Sequence, residues 1–326
     1  MATVLITGGA GFIGSYIVRE LISLGHKPVI LDLFAQYTSP LDKEYHETRA
    51  KRFEGVLDKV VIERGDASNY GVLFAIMRKH KPHYIIHLAA TPLAKMQNLK
   101  VEEGLRGPVI ATSYILEIIA YLKETGELKD FKKFIYTSSS MVYGNFKSDS
   151  AKEDDETEPI NLYGTMKLAG ESIAKGMCRT FNIPYNIIRP SAVYGPTDIN
   201  KRVTQIFIDD AMAGRALKVE GGNEEKLDFS YVKDVAHGFV LAALSEVSGE
   251  IFNITGGEGR SLLEYANLIK KYYPNAKIEV KPRDKERPKR GALSIEKAKK
   301  LLNYKPEYGI EKGVEEYIQF KKRYSK

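Results

Sequence analysis

Tyr163 and Lys167 are the two side chains whose types and spacing best suit acid–base chemistry. Residues four apart lie on one face of an α-helix, about one turn from each other. A tyrosine hydroxyl, with an ordinary pKa of about 10, is a poor base at neutral pH. A nearby ammonium group stabilises the phenolate and lowers this pKa. The pair could therefore remove the proton from a substrate hydroxyl.

This tyrosine–lysine spacing is a weak signal by itself, because it occurs five times in the chain. The pairs are Tyr143/Lys147, Tyr163/Lys167, Tyr273/Lys277, Tyr308/Lys312 and Tyr317/Lys321. Position singles out Tyr163, which comes 24 residues after Ser139 and begins a helical pattern after a predicted strand. Ser139 belongs to a run of hydroxyl side chains at the end of that strand, where it could share the proton. Tyr143/Lys147 follows the same run directly and remains the alternative pair.

A glycine-rich turn lies at 7–14, between a short apolar run and a segment with helical periodicity. Two overlapping patterns fit it, with Gly9, Gly11 and Gly14 or with Gly8, Gly11 and Gly14. A strand, a glycine turn and a helix in this order indicate a dinucleotide site. The glycines let backbone N–H groups approach a pyrophosphate at the positive end of the helix. An ordinary turn between strand and helix is the alternative.

Asp32 ends the second apolar run and comes 18 residues after Gly14. An acid is expected about 20 residues after the glycine turn, where it accepts hydrogen bonds from the adenosine ribose. A carboxylate there also repels a 2′-phosphate, so we predict NAD rather than NADP. The alternative is an aspartate that caps a helix or lies in a loop.

Apolar runs alternate with helical patterns along the first 190 residues. We predict strands at 3–6, 29–32, 59–63, 84–87, 131–136 and 185–189, and helices at 12–24, 41–57, 69–79, 103–123 and from 161. This alternation indicates an α/β fold of the Rossmann type, with a doubly wound parallel sheet. We expect residues 1–190 to form an NAD-binding domain, to which 232–256 return with a strand at 250–254.

Residues 191–326 are expected to form mainly a smaller C-terminal α/β lobe that binds the substrate. The regular alternation weakens there. We predict helices at 201–213, 232–244, 261–272, 294–302 and 310–324, and short strands at 217–219 and 228–231.

Composition limits the class of partner. The chain has 326 residues, a net charge of +7 and a pI near 9.1. Its one basic cluster, at 281–290, contains prolines and acids, so a phosphate-bearing small substrate explains it as well as RNA would. We expect no nucleic-acid partner and no bound metal. No apolar run approaches the roughly 20 residues that span a membrane, and we see no signal peptide, so we expect no membrane partner.

Cys178 is the single cysteine, which excludes an internal disulfide. We interpret it as a small buried side chain. A chain with one thiol fits a reducing compartment, and we expect a cytoplasmic protein.

Motifs in order along the whole chain resemble those of one family. They are 7–14, Asp32, His87 to Ala90, 138–144, Tyr163 with Lys167, 189–196, and the segments 227–235 and 287–300. The chain resembles the extended short-chain dehydrogenases/reductases of the NAD-dependent sugar-nucleotide epimerase/dehydratase family, and most of all the UDP-glucose 4-epimerase type.

The resemblance implies roles at matching positions. Cofactor-binding residues would be Gly8, Gly11, Phe12, Ile13, Gly14, Asp32, Asp66, Ala67, Leu88, Ala89, Ala90, Tyr163 and Lys167. Catalytic residues would be Ser139, Tyr163 and Lys167. Substrate-binding residues would be Ser139, Ser140, Ser191, Lys226 and Arg287, with Arg287 at the nucleotide diphosphate.

Departures from the family pattern narrow the reaction. The dehydratases usually carry Asp-Glu directly after the catalytic Ser or Thr, where the acids drive the loss of water from the sugar. Here those positions are Ser140 and Met141, and a methionine cannot act as a base. An epimerase needs neither acid. Other departures weaken the substrate contacts: Leu227 replaces an arginine, Ala192 an asparagine, and Gly104 another asparagine.

We therefore expect an NAD-dependent epimerase of a nucleotide-activated sugar, acting at C4 of a UDP-hexose through a transient 4-keto sugar. The alternatives are an NAD(P)-dependent 4-keto sugar-nucleotide reductase or a dehydratase of the same family, and a cofactor-binding regulator without catalysis. We also expect a homodimer that pairs through the long helices after strands four and five. The apolar stretch 109–122 fits this, although it could simply be buried on the sheet.

Overall fold

A computed structural model describes residues 1–34, 43–91, 101–284 and 287–324. The strands are β1 (Thr3–Thr7), β2 (Lys27–Asp32), β3 (Val61–Arg64), β4 (Tyr84–His87), β5 (Lys133–Thr137), β6 (Ser150–Ala151), β7 (Tyr185–Arg189), β8 (Leu217–Glu220), β9 (Lys226–Asp228), β10 (Glu250–Asn253), β11 (Gly259–Ser261), β12 (Ile278–Lys281) and β13 (Ala292–Leu293). The helices are α1 (Phe12–Ser23), α2 (Lys43–Lys51), α3 (Tyr70–His80), α4 (Val101–Leu105), α5 (Thr112–Glu124), α6 (Leu162–Thr180), α7 (Val203–Met212), α8 (Val232–Leu244), α9 (Leu262–Tyr272), α10 (Glu296–Leu302) and α11 (Ile310–Tyr324).

Seven strands form one parallel sheet in the order β10-β7-β5-β4-β1-β2-β3. The strand order reverses between β1 and β4, which in open α/β sheets opens a ligand crevice beyond the carboxyl ends of the strands. Val4, Leu5 and Ile6 of β1 are fully buried because helices cover both faces of the sheet. The predicted Rossmann-type doubly wound sheet is confirmed.

Two apolar cores lie on the two faces of this sheet. One contains side chains of α1 and α8, which pack against each other, and the other contains side chains of α3, α5 and α6. β10 pairs with β7, as the expected strand at 250–254 requires. The division into two domains at residue 190 itself stays a prediction.

Several predicted boundaries are wrong by a few residues. The third and fifth strands begin at Val61 and Lys133, and the predicted strand at 228–231 is β9, which ends at Asp228. The predicted helix at 41–57 ends at Lys51. Its first two residues lie outside the described residues. Residues 285 and 286 of the basic cluster also lie outside them.

The predicted helix at 103–123 is interrupted by a π-helical segment, Arg106–Ala111. The cause is close packing: a Cβ on Gly107 would lie 2.3 Å from the Ala89 oxygen, and Pro108 has no N–H to continue an α-helical ladder. The wider segment thus brings the backbone of α4 and α5 onto the end of β4.

The C-terminal part adds three two-stranded sheets: β8 with β12, β9 with β11, and β6 with β13. Its own core includes Phe207, Phe229 and Tyr265. β6, β11, β12 and β13 were not predicted, because two- to four-residue strands carry too little periodicity to be recognised.

Among the described residues, the helical segment Val101–Glu124 is long and apolar enough to cross a membrane by length and composition. Core helices of soluble proteins pass the same criterion, and this segment packs on the sheet with Ile115, Ile119 and Leu122 fully buried. Cys178 is buried, as its interpretation requires, and burial raises the pKa of its thiol to about 12.

Gly170 allows α6 to approach the sheet closely. A Cβ there would lie 2.0 Å from the Tyr136 hydroxyl and 2.4 Å from the Pro108 oxygen. We expect Gly170→Ala to lower the free energy of unfolding by about 1–3 kcal/mol, the usual cost of overpacking. Urea unfolding measures this.

Gly176→Ala is the matched control on the same helix, because nothing lies within 4 Å of the added Cβ. It should raise the free energy of unfolding by about 0.5–1 kcal/mol through helix propensity alone. Equal effects of the two substitutions would contradict the packing argument.

Candidate active site

A cavity of about 750 Å³ opens at the carboxyl ends of β1, β2, β4, β5 and β7. We call the wall built from residues 8–111 the cofactor half, and the wall built from residues 137–290 the substrate half. Of the predicted residues, the cavity is lined by Gly8, Gly11, Phe12, Ile13, Gly14, Asp32, Asp66, Ala67, Leu88, Ala89, Ala90, Ser139, Ser140, Tyr163, Lys167 and Ser191.

In the glycine turn, Gly8 and Gly14 are packed too tightly for any residue with a Cβ atom. Gly8 has a φ of +71°, and a Cβ on it would lie 2.8 Å from the Ala89 nitrogen. A Cβ on Gly14 would lie 2.7 Å from the Gly9 Cα. Gly11 caps α1 without a side-chain hydrogen bond, so the positive end of the helix faces the cavity uncapped. This is the arrangement that suits a pyrophosphate.

Asp32 fixes the end of β2 to this turn. Its Oδ2 accepts a hydrogen bond from the Ala10 N–H at 3.0 Å, and its Oδ1 accepts one from the Phe34 N–H at 2.7 Å. A carboxylate has about four acceptor positions, so two remain for ribose hydroxyls. The backbone N–H and the hydroxyl of Ser68 both donate to Asp66 Oδ1. These residues fit a dinucleotide.

Two arginines of the cofactor half were not singled out from the sequence. Arg52 donates to the carbonyls of Ala10 and Thr197, and so ties the glycine turn to the substrate half. The guanidinium of Arg49 lies 4.8 Å from the centroid of the Phe34 ring. Neither position follows from a local motif, which is why sequence patterns could not reveal them.

α6 carries Tyr163 and Lys167 into the cavity. The helix begins after Asn161, whose side chain accepts from the Gly164 N–H at 2.9 Å. Lys167 Nζ donates to the Thr137 oxygen at 2.7 Å and lies 5.8 Å from the centroid of the Tyr163 ring. The structure therefore brings both residues to the end of β5.

Ser139 follows β5 and faces the same space. Its Oγ accepts from the Met141 N–H at 3.2 Å and thereby caps a 3₁₀ turn, Ser140–Tyr143. Ser139, Tyr163 and Lys167 line one cavity, as predicted from their spacing.

The protonation of these groups depends on a balance of burial and charge. Burial raises the pKa of the Tyr163 hydroxyl, while the charge of Arg202 and a hydrogen bond with Ser139 act to lower it. Burial lowers the pKa of Lys167 to about 7, against the charge of Glu171, which acts to raise it. The charge that favours the phenolate is therefore that of Arg202, a residue to which no sequence motif points.

The alternative pair Tyr143/Lys147 lies away from the cavity. The hydroxyl of Tyr143 is buried, donates to Asn253 Oδ1 at 2.8 Å and has a pKa raised to about 12 by burial. Lys147 is exposed and pairs with Glu156. Neither residue lines the cavity, so this alternative is excluded.

A buried ion pair holds α6 against the sheet. Arg189, at the end of β7, donates from Nε and Nη2 to the two carboxylate oxygens of Glu171, both at 2.8 Å. The hydroxyl of Ser138 donates to the same carboxylate. Glu171 follows Lys167 by one turn, so these bonds fix α6 against the ends of β5 and β7.

The substrate half contains some of the predicted residues and lacks others. Ser140 and Ser191 line it, and their hydroxyls lie 3.2 Å apart. Lys226 pairs with Ser261 across β9 and β11, and Arg287 forms ion pairs with Glu220 and Asp284. Neither Lys226 nor Arg287 lines the cavity, and their substrate roles stay predictions.

The cations that do line the substrate half are Arg202 and Arg290, together with Lys167. The basic cluster 281–290 was the sequence signal for Arg290, but it could not tell which of its arginines faces the cavity. Among the described residues, no group of three or more His, Cys, Asp or Glu side chains could hold a metal ion.

Residues 4–255 match the model of the NAD dependent epimerase/dehydratase family. The UDP-glucose 4-epimerase of Mycolicibacterium smegmatis is 28% identical over 97% of this chain and 97% of that protein. The dTDP-glucose 4,6-dehydratase of Xanthomonas campestris pv. campestris is 27% identical over 96% of this chain and 91% of that protein. The UDP-glucuronic acid 4-epimerase of Bacillus cereus, solved with UDP-glucuronic acid and NAD, superposes with a TM-score of 0.86 at 27% identity, covering 98% of this chain and 99% of the other.

Arg202 offers a test of the charge balance at Tyr163. Removing its charge in Arg202→Met should raise the pKa of Tyr163, because burial then acts with less opposition. We expect the acidic limb of the pH profile of kcat/KM to move to higher pH, whereas Arg202→Lys should keep it near its original position.

Lys201→Met is the matched control, since this neighbouring lysine is exposed and lies outside the cavity wall. A profile that stays in place in Arg202→Met, or moves equally in the control, would show that Arg202 does not set the protonation of the base.

Proposed function

The chain belongs to the NAD-dependent epimerase/dehydratase family, and we propose that it epimerises a nucleotide-activated sugar at C4. The observation that carries this choice of reaction is Met141 in the wall of the substrate half, directly after Ser140. These are the positions where the dehydratases it resembles carry two acids. A thioether and a hydroxyl offer no base for removing water from the sugar. A UDP-hexose is the substrate class that the resemblance favours.

Tyr163 and Ser139 supply the proton chemistry. The chemistry that NAD supplies when bound is the removal and return of a hydride at the sugar carbon. The Tyr163 oxygen, as phenolate, takes the proton of the C4 hydroxyl, and Ser139 holds that hydroxyl in place through a hydrogen bond. The transient 4-keto sugar then rotates in the cavity and presents its other face. The same tyrosine returns the proton to the C4 oxygen.

The remaining residues hold the partners of this reaction. Gly8, Gly11 and Gly14 leave room for the pyrophosphate, and Asp32 has acceptors free for the ribose. Lys167, which lies beside Tyr163, would bind the nicotinamide ribose. Because the hydride is returned, no net redox change occurs and the cofactor is not consumed.

The experiment that tests this function uses the purified protein without added cofactor. Incubation with a UDP-hexose should give its C4 epimer, and the same equilibrium ratio should be reached from either epimer, as followed by proton NMR. A dehydratase would give a 4-keto-6-deoxy sugar instead. A product that forms only with added reduced cofactor would show a reductase. Either outcome would contradict the proposal.

Tyr163→Phe tests the base. General bases contribute about 10²- to 10⁴-fold to rates, so we expect kcat to fall by about that factor. Tyr143→Phe is the matched control: it removes the same hydroxyl from a buried tyrosine of the 3₁₀ turn that lies outside the cavity wall. It should keep its kcat within a few-fold. Full activity in Tyr163→Phe would remove this residue from the mechanism.

We also propose that the protein is a homodimer. Many side chains of the apolar stretch 109–122 pack inside the protomer, since Ile115, Ile119 and Leu122 are fully buried. What supports pairing is the outer surface, where α3 and α5 expose an aromatic patch of Tyr70, Phe74, Tyr114 and Tyr121. Tyr121 is 49% exposed.

Light scattering should give twice the chain mass of 36.6 kDa, and Tyr121→Glu should give the monomer mass, because a charge at a packed interface is unfavourable. A monomer in the unmodified protein would contradict this proposal.

A further inference from the structure

A charged cluster of Glu225, Arg283 and Arg290 lies behind the wall of the substrate half. Glu225 is 3% exposed and lies 3.1 Å from Arg283 Nε and 3.5 Å from Arg290 Nη2. Among the described residues, two guanidinium groups thus share one buried carboxylate. Of the three residues, only Arg290 lines the cavity.

Glu225 positions the guanidinium of Arg290 but does not use all of its hydrogen-bond donors. Its contact with Glu225 is an ion pair at the long end of the range, and its buried Nε has no hydrogen-bond partner among the described residues. The side chain of Arg290 is 17% exposed, and a mostly desolvated cation without full pairing is stabilised when an anion completes the pairing. The acids that line the described cavity wall, Asp32, Asp66 and Glu103, all belong to the cofactor half.

The guanidinium of Arg290 lies close to the reacting end of the cavity. Its Nη1 is 3.8 Å from the sulfur of Met141, whose backbone N–H donates to Ser139 Oγ. Met141 has the position at which the dehydratases place an acid that acts on the sugar. A group beside Met141 therefore contacts the sugar, not the nucleobase at the far end of such a substrate.

We propose that the substrate carries a carboxylate on its sugar ring, as a uronic acid does, and that Arg290 binds this carboxylate. This substrate assignment rests on the proposed function, because it takes the ligand to be a nucleotide sugar. A guanidinium matches a carboxylate in charge and can donate two parallel hydrogen bonds to it. Glu225 is then a positioning residue, which holds Arg290 at the wall. A sugar with a neutral hydroxymethyl group would offer Arg290 no charged partner on the ring.

Calorimetry with UDP, UDP-glucose and UDP-glucuronic acid tests the proposal. The protein is loaded with NAD and carries Tyr163→Phe, so that binding is measured without turnover. We expect UDP-glucuronic acid to bind about tenfold or more tightly than UDP-glucose, the usual effect of a hydrogen-bonded charge pair. The unmodified protein, titrated in parallel, should show the same preference.

Arg290→Gln in the same background should abolish this preference and leave the affinities for UDP and UDP-glucose within about twofold, which also reports that the variant is folded. Lys289→Gln removes the same charge from an exposed neighbour outside the cavity wall and should keep the preference. Arg290→Lys retains the positive charge and should disturb folding less. This variant should keep part of the preference for UDP-glucuronic acid.

Two results would overturn the proposal. One is no preference in the protein with Arg290 intact, whether it binds both sugars or neither. The other is an equal loss of affinity for all three ligands in Arg290→Gln, which would place Arg290 at the diphosphate. Failure of the proposed epimerisation would look different, because the binding preference would remain while no C4 epimer formed.

Discussion

The arrangement of the candidate active site depends on the buried ion pair between Glu171 and Arg189. These side chains are 0% and 2% exposed, and they join the middle of α6 to the end of β7 by two hydrogen bonds. Removing one partner of such a pair typically costs about 3–5 kcal/mol, because the other charge is left buried. The helix therefore has one favourable register against the sheet. That register places Lys167 at the Thr137 carbonyl and Tyr163 beside Ser139.

The burial that fixes the positions of Tyr163 and Lys167 also opposes the charged forms of both side chains. A buried tyrosine resists ionisation and a buried lysine loses its proton more easily, so positive charge must be supplied and kept. The site does this with Arg202 beside Tyr163 and with the Glu171 carboxylate one turn from Lys167. Glu171 thus acts twice, as the anchor of the helix and as the charge that favours the protonated lysine. Tyr163 and Lys167 line the cavity wall where these opposing effects are balanced.

Features that follow from local spacing were predictable from the sequence. The glycine turn, Asp32, Tyr163 and Ser139 each lie next to a strand or helix whose periodicity is strong, and the parallel order of strands brings their ends together. Features that depend on distant packing were not. Tyr143/Lys147 could be excluded only because neither residue lines the cavity in the folded chain. Arg202 and Arg290 face the cavity because of the fold of the C-terminal part. The family resemblance implied a substrate role for Arg287, whereas Arg290 lines the wall.

In the proposed epimerisation, the hydrogen removed from one sugar carbon returns to that same carbon, while Tyr163 accepts and returns the hydroxyl proton. The most direct measurement starts from a nucleotide sugar deuterated at C4 and follows the label by NMR through many turnovers. We predict that both epimers keep the deuterium at C4, with none lost to solvent, because a hydride held by the cofactor does not exchange with water. Label found at another carbon of the sugar, or exchanged with water, would contradict the account.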